Sequence, residues 1–199
     1  MDLQAMQMTA ARQLGEVRDM LAAAPAVWSC VFNREPRTQG PLLAGLGCDA
    51  DGNWVLRAAD GLQLVASIAH AHYSAPADDS YAMLFLYESE ADAHCALLTA
   101  DHLSESQLRA LKAYSETRHS IESERRRLAR IAVLEELAKQ LIAPYGELEN
   151  LDIAHDGKKI TLTFNTGGTM VIECRDENTQ PEFHPQMHLY VNGIKISQA

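Results

Sequence analysis

Residues 104–144 read SESQLRALKAYSETRHSIESERRRLARIAVLEELAKQLIAP, and this stretch decides the architecture. Ser104 and Gln107 form a capping-box pattern, in which the serine accepts a first-turn amide and the glutamine reaches back to the serine's own amide. Leu103 and Leu108 stand where a hydrophobic staple would place them. No proline or glycine follows until Pro144. The spacing predicts a helix of about 40 residues, roughly 60 Å long if unbroken. A domain of this size is narrower than that. The middle of the stretch, 115–127, is polar apart from Ile121, and its end turns apolar at Leu128, Ile131, Leu134, Leu137 and Leu141. We therefore expect one long helix joining two modules, with two helices meeting near Ser120 as the alternative.

Toward the N-terminus, Leu3, Met6, Ala10, Leu14, Val17 and Leu21 recur every three or four residues and give one apolar helical stripe. Pro25 ends that helix, because a proline disfavours helical backbone in the residue before it. The stripe needs a sheet or a second subunit to pack against. Strands are expected at 27–32, 42–48, 53–58 and 62–68. The last two are joined by Asp60-Gly61, a strong hairpin signal, so the segment reads as a meander. The stretch 81–87 is almost continuously apolar and is expected to be a strand buried on both faces. Ser89 is expected to cap a short helix running to about Ala100.

Beyond the long helix the chain reads as β. Strands are expected at 148–154 and 159–164 around Asp156-Gly157, then at 169–174, and finally as a hairpin of 187–191 and 194–196 turning at Asn192-Gly193. The fold class is α+β. The organisation is a mixed N-terminal module with a meander (1–102), a long connecting helix (103–146) and a small antiparallel sheet (147–199).

Composition narrows the function classes. Apolar residues make up 47% of the 199, enough for a packed core, and no apolar run reaches the length of a membrane-spanning helix. The start Met-Asp-Leu-Gln lacks the basic and apolar character of a secretory signal. The four cysteines, Cys30, Cys48, Cys95 and Cys174, form no C-x-x-C pair and suit free thiols in a reducing, cytoplasmic compartment. The net charge is −10, and residues 1–100 alone carry 12 acidic and 5 basic side chains. Such a chain repels phosphate, so nucleic acid is an unexpected partner.

Candidate chemistry is sparse. His70 and His72 alternate on an extended segment and face one way. His184 and His188, with Glu182 and Cys174, could supply further zinc ligands, but Pro185 and a strand setting remove the meaning of the four-residue spacing. Asp49, Asp51 and Asn53 with Gly52 resemble part of a calcium loop, without its closing glutamate; turn chemistry explains them equally well. His94 and Cys95 are neighbours in sequence, which does not make a catalytic pair. The sequence 165–169, Asn-Thr-Gly-Gly-Thr, has no phosphate-loop ending and reads as a turn. Arg125, Arg126, Arg127 and Arg130 form the densest basic patch, with Glu122, Glu124, Glu135 and Glu136 around it in ion-pairing distance along a helix.

We therefore expect no metal and no cofactor. The leading reading is a noncatalytic protein of a bacterial-type cytoplasm that binds another protein as an adaptor, inhibitor or assembly factor. A homodimer is expected through helical surface, with Leu128, Ile131, Leu134, Leu137, Leu141, Arg125, Arg126 and Arg127 as the interaction residues. The alternatives are a metal- or Cys-dependent enzyme whose residues meet only in three dimensions, and a sensory module holding a small ligand between 27–32 and 81–87.

Overall fold

The computed structural model describes residues 2–32, 40–90, 93–142, 148–165, 167–175, 186–191 and 194–198. The chain is α+β and divides into two compact units, Met1–Ser120 and Ile121–Ala199. The division falls inside the long helix, α2, which runs over Glu105–Ile142 as one element of 38 residues.

The N-terminal unit opens with α1, Leu3–Ala23, whose buried residues are Met6, Ala10, Leu14, Val17 and Leu21. The apolar stripe is thus covered within its own unit and leaves little for a second subunit. A 3-10 turn over Pro25–Val27 follows, so strand β1 begins at Ser29 and not at Val27. Strands β2 (Leu43–Cys48), β3 (Trp54–Ala58) and β4 (Gln63–Ala66) form the expected meander, in the order β2-β3-β4. Both of its turns are held by carboxylates: Asp49 accepts from the amides of Asp51 and Asn53, and Asp60 from that of Leu62.

A second sheet has the order β1-β7-β6-β5, with β5 at His70–Ser74, β6 at Tyr81–Tyr87 and β7 at Ala96–Asp101. Two expectations are corrected there. The predicted short helix reaching Ala100 is instead strand β7 over its second half. Ala96, Leu98 and Ala100 are buried while Leu97 and Thr99 are half-buried, a period of two that a helix cannot satisfy. Strand β6 is not buried on both faces: Ala82, Leu84 and Leu86 are buried, and Met83, Phe85 and Tyr87 between them are half-buried.

Helix α2 starts as its capping box requires. The amide of Gln107 donates to Ser104 Oγ at 3.3 Å, and the amide of Ser104 donates to Gln107 Oε1 at 2.9 Å. In the N-terminal unit the helix buries Leu111 and Tyr114. The Tyr114 hydroxyl accepts from the backbone amide of Ala71 at 2.9 Å, and β5 is an edge strand, so that amide points away from β6. Lys112 donates to Asp79 at 2.6 Å and Arg118 to Glu90 at 2.9 Å, tying the loops on either side of β6 to the helix.

The C-terminal unit is a five-stranded antiparallel sheet of order β12-β11-β10-β9-β8, built from β8 (Leu148–Ile153), β9 (Lys159–Phe164), β10 (Thr169–Arg175), β11 (Gln186–Val191) and β12 (Ile194–Gln198). Ile160, Leu162, Phe164, Met170 and Ile172 cover one face and pack with Leu134 of the helix. The helix rests on the β8–β9 turn at Gly157, which has a φ of 67°. A Cβ there would lie 3.0 Å from the backbone oxygen of Arg127 and 3.0 Å from Ile131 Cγ1.

Candidate functional site

The residues expected to form an interaction patch are distributed by the structure among three roles. Leu134 is fully buried in the C-terminal core, where it packs with Ile160, Leu162 and Phe164. Ile131 is half-buried against Gly157. Leu128 is 41% exposed and remains on the surface. Arg127 pairs with Glu124 at 2.7 Å and donates to the carbonyl of His155 at 3.3 Å. Arg126 lies 3.9 Å from Glu122, and Arg125 is half-buried. Arg130, a neighbour in the basic patch, is buried and donates to the carbonyl of Asp156 at 3.1 Å. Much of the patch thus clamps the helix to its own hairpin. The side chains of Leu137, Leu141, Cys174 and His188 lie outside the described residues, as do Asp92, Glu182, His184, Pro185 and the Asn192-Gly193 turn.

The feature that the structure assembles is the outer face of the sheet β1-β7-β6-β5. The pairings His70 with Tyr87, His72 with Phe85, Met83 with Thr99, Phe85 with Leu97, Thr99 with Ser29 and Leu97 with Val31 place these side chains on one surface. The opposite surface holds Ala71, Ala82, Leu84, Leu86, Ala96, Leu98, Ala100 and Cys30, all buried. On the outer face every residue is half-buried or exposed. The sheet therefore has one buried side and one partly exposed side.

Rings dominate the open side. His70 stacks on Tyr87 with ring centroids 4.6 Å apart and planes 3° from parallel. His72 lies 6.0 Å from Phe85. His94, from the turn before β7, meets the edge of both Phe85 at 5.3 Å and Tyr87 at 6.2 Å. Pairs at these separations favour offset or edge-to-face arrangements and hold each ring in place. At the β1 side, Ser29 and Thr99 share a hydroxyl hydrogen bond of 2.6 Å. The result is a preordered platform of imidazole, phenyl and phenol rings with Met83, Leu97 and Val31 between them.

The other candidates do different things. Among the described residues no group of three or more His, Cys, Asp and Glu converges in metal-binding fashion. His70 and His72 do share a face, as their spacing predicts, but they engage aromatic rings. Asp49 is engaged in its own turn, and its hydrogen bonds to Asn53 hold its carboxyl below the usual range. Cys95 is buried and donates toward the carbonyl of Leu86; burial first, and then the Glu88 charge, push its thiol up to about 11. The neighbouring His94 faces the platform, so no thiolate–imidazole pair forms. Asp79, Lys112, Glu105, Arg109, Glu116 and Leu108 line an open groove of about 450 Å³ beside α2. Its opposite charges already pair, Lys112 with Asp79 and Arg109 with Glu105.

The platform was hidden from sequence reasoning because the reading of 89–100 as a helix removed β7 from the sheet. Without β7 the alternation in TYR-MET-PHE-TYR positions 81, 83, 85 and 87 has no second strand to extend it. Among the described residues no helix is long and apolar enough to cross a membrane. The chain matches no protein-family model, no curated protein and no solved structure.

Proposed function

We propose that this chain is a noncatalytic protein-binding protein of the cytoplasm, acting as an adaptor, inhibitor or assembly factor, and that it binds through the outer face of the sheet β1-β7-β6-β5. The observation that carries the reading is the asymmetry of that sheet. One side is sealed by small and aliphatic residues. The other offers Val31, Met83, Phe85, Tyr87 and Leu97 at adjacent, half-open positions. Aromatic residues and methionine are the types enriched at the centres of protein interfaces, and charged residues are depleted there. The stacked rings cost little conformational entropy on binding, because their neighbours already fix them.

Photo-crosslinking inside the source cell tests this. Leu97→p-benzoylphenylalanine places the reactive group at the centre of the face, and Leu128→p-benzoylphenylalanine places it on the exposed flank of α2. A crosslinked protein from position 97, lost when Phe85→Glu is added, is the expected result. Products from position 128 alone would move the binding surface to the helix.

A further inference from the structure

We infer that Asp51 is a site of spontaneous succinimide formation and conversion to isoaspartate, with Gly52 supplying the nucleophile and water as the only co-reactant. The sequence holds three Asp-Gly pairs, Asp51-Gly52, Asp60-Gly61 and Asp156-Gly157. Each sets an aspartate carboxyl beside an amide nitrogen whose residue has no side chain to shield it. In the reaction the Gly52 nitrogen attacks Cγ of Asp51. An N–Cγ bond forms, the Cγ–OH bond breaks, and the amide proton leaves with that hydroxyl as water. Water then adds back to one of the two ring carbonyls. Addition at Cγ restores aspartate. Addition at the former backbone carbonyl breaks the original peptide link, so the chain runs through the side-chain carboxyl and the turn between β2 and β3 grows by one methylene. The water lost is the water regained, and no electrons are transferred.

The three pairs share this chemistry, and the fold separates them. The Asp156 carboxylate accepts from the Lys158 amide at 2.9 Å, and the Gly157 amide donates to the Ala154 carbonyl at 2.8 Å. Gly157 is also buried under α2, so the backbone of that pair has little room to turn. The Asp60 carboxylate accepts from the Leu62 amide at 3.1 Å, and the Gly61 amide donates to the Ala58 carbonyl at 3.0 Å. Both carboxylates must release a hydrogen bond before Cγ can swing to the nitrogen. Asp51 needs no such release. The turn is built by Asp49, which accepts from the amides of Asp51 and Asn53 and from the Asn53 side chain. The Asp51 carboxylate itself carries no hydrogen bond or ion pair among the described residues. The Gly52 amide has the longest bond of the three glycines, 3.2 Å to the Asp49 carbonyl. Asp51 and Gly52 are both exposed, with nothing within 4 Å of the position a Cβ on Gly52 would take. Gly61 is equally open, so the engaged carboxylate is what sets Asp60 apart.

Ageing the full chain in mildly acidic buffer, once folded and once in urea, tests the inference. Peptide mass spectrometry with electron-transfer fragmentation tells isoaspartate from aspartate at each of the three positions. In the folded chain, isoaspartate is expected to accumulate at position 51 about tenfold faster than at 60 or 156, the factor that one hydrogen bond to a charged group is worth. In urea the three rates converge, because only the fold separates them. Asp51→Glu stops the product at that position, since the longer side chain would have to close a larger ring. It leaves the circular dichroism unchanged, because the Asp51 carboxylate holds no other group in place. Equal rates at 51 and 60 in the folded chain overturn the inference, since the free carboxylate then confers nothing. A lead at 156 overturns it too. So does an Asp51 that reacts in urea but stays intact in the folded chain, because the turn then protects the pair it was argued to expose.

Discussion

Replacing Gly157 with alanine tests how closely α2 sits on the β8–β9 hairpin. Two costs are expected and can be separated. The first is backbone strain: at a φ of 67° an L-residue pays about 1–2 kcal/mol for the left-handed conformation. The second is steric. The new Cβ would lie 3.0 Å from the Arg127 backbone oxygen and 3.0 Å from Ile131 Cγ1. The isoleucine can turn away, but the carbonyl belongs to the helix and moves only with it. Overpacking of this kind costs about 1–3 kcal/mol. Gly167 supplies the control, since it has a φ of 79° in the same unit and nothing within 4 Å of the position its Cβ would take. Gly167→Ala should therefore cost only the backbone term, and Gly157→Ala should exceed it by about 1–3 kcal/mol. Both tryptophans, Trp28 and Trp54, are in the N-terminal unit, so their fluorescence does not report on this hairpin. Amide hydrogen exchange across β9 and β10 does, and every 1.4 kcal/mol appears as about a tenfold faster exchange through opening. Equal effects of the two substitutions would refute the close seating of the helix on the hairpin.

Three further outcomes are expected. Tyr114→Phe keeps the buried ring but leaves the Ala71 amide without its 2.9 Å acceptor; it should cost about 1–3 kcal/mol and speed exchange of that amide, as read by NMR. Thiol titration with Ellman's reagent at pH 8 should label the exposed Cys48 rapidly in the native protein. Cys30 and Cys95 should stay protected until denaturation, Cys95 also because its thiol is pushed up to about 11. Glu124 accepts from Arg127, which holds its carboxyl below the ordinary glutamate range. A carboxylate depressed by folding stabilises the native state above its unfolded pKa. That contribution disappears as pH falls through the lower folded value, and Arg127→Gln should return the Glu124 carbonyl-carbon NMR titration to the ordinary range.

How much of this was legible beforehand differs by element. The start of α2, the meander and strand β9 follow from local rules, because the capping atoms, the Asp-Gly turns and the alternating apolar residues are all close in sequence. The extent of α2 also follows, since nothing between Gln107 and Ile142 can break a helix. Strand β7 did not follow. Its residues Ala96-Leu97-Leu98-Thr99-Ala100 suit a helix locally, and only pairing with β6 on one side and β1 on the other selects the extended form. What covers the helical stripe did not follow either, for a related reason. An apolar stripe shows that a surface is covered without showing by what, and Leu134 is covered by Ile160, Leu162 and their neighbours from strands that follow it in the chain. Charge was only partly legible: the pairing of Arg127 with a nearby glutamate follows from helical spacing, but the donation of Arg127 and Arg130 to carbonyls of the β8–β9 turn does not.

The hydroxyl of Tyr114 on the β5 edge also bears on how large an assembly can become. Strand addition at an edge is not finite, since each added strand displays a fresh row of amides to the next. By occupying the Ala71 amide, Tyr114 removes a donor that an incoming strand would need at the outer edge of β5. Loss of that single oxygen would change almost no packing volume and yet would leave one amide on that edge available to an incoming strand.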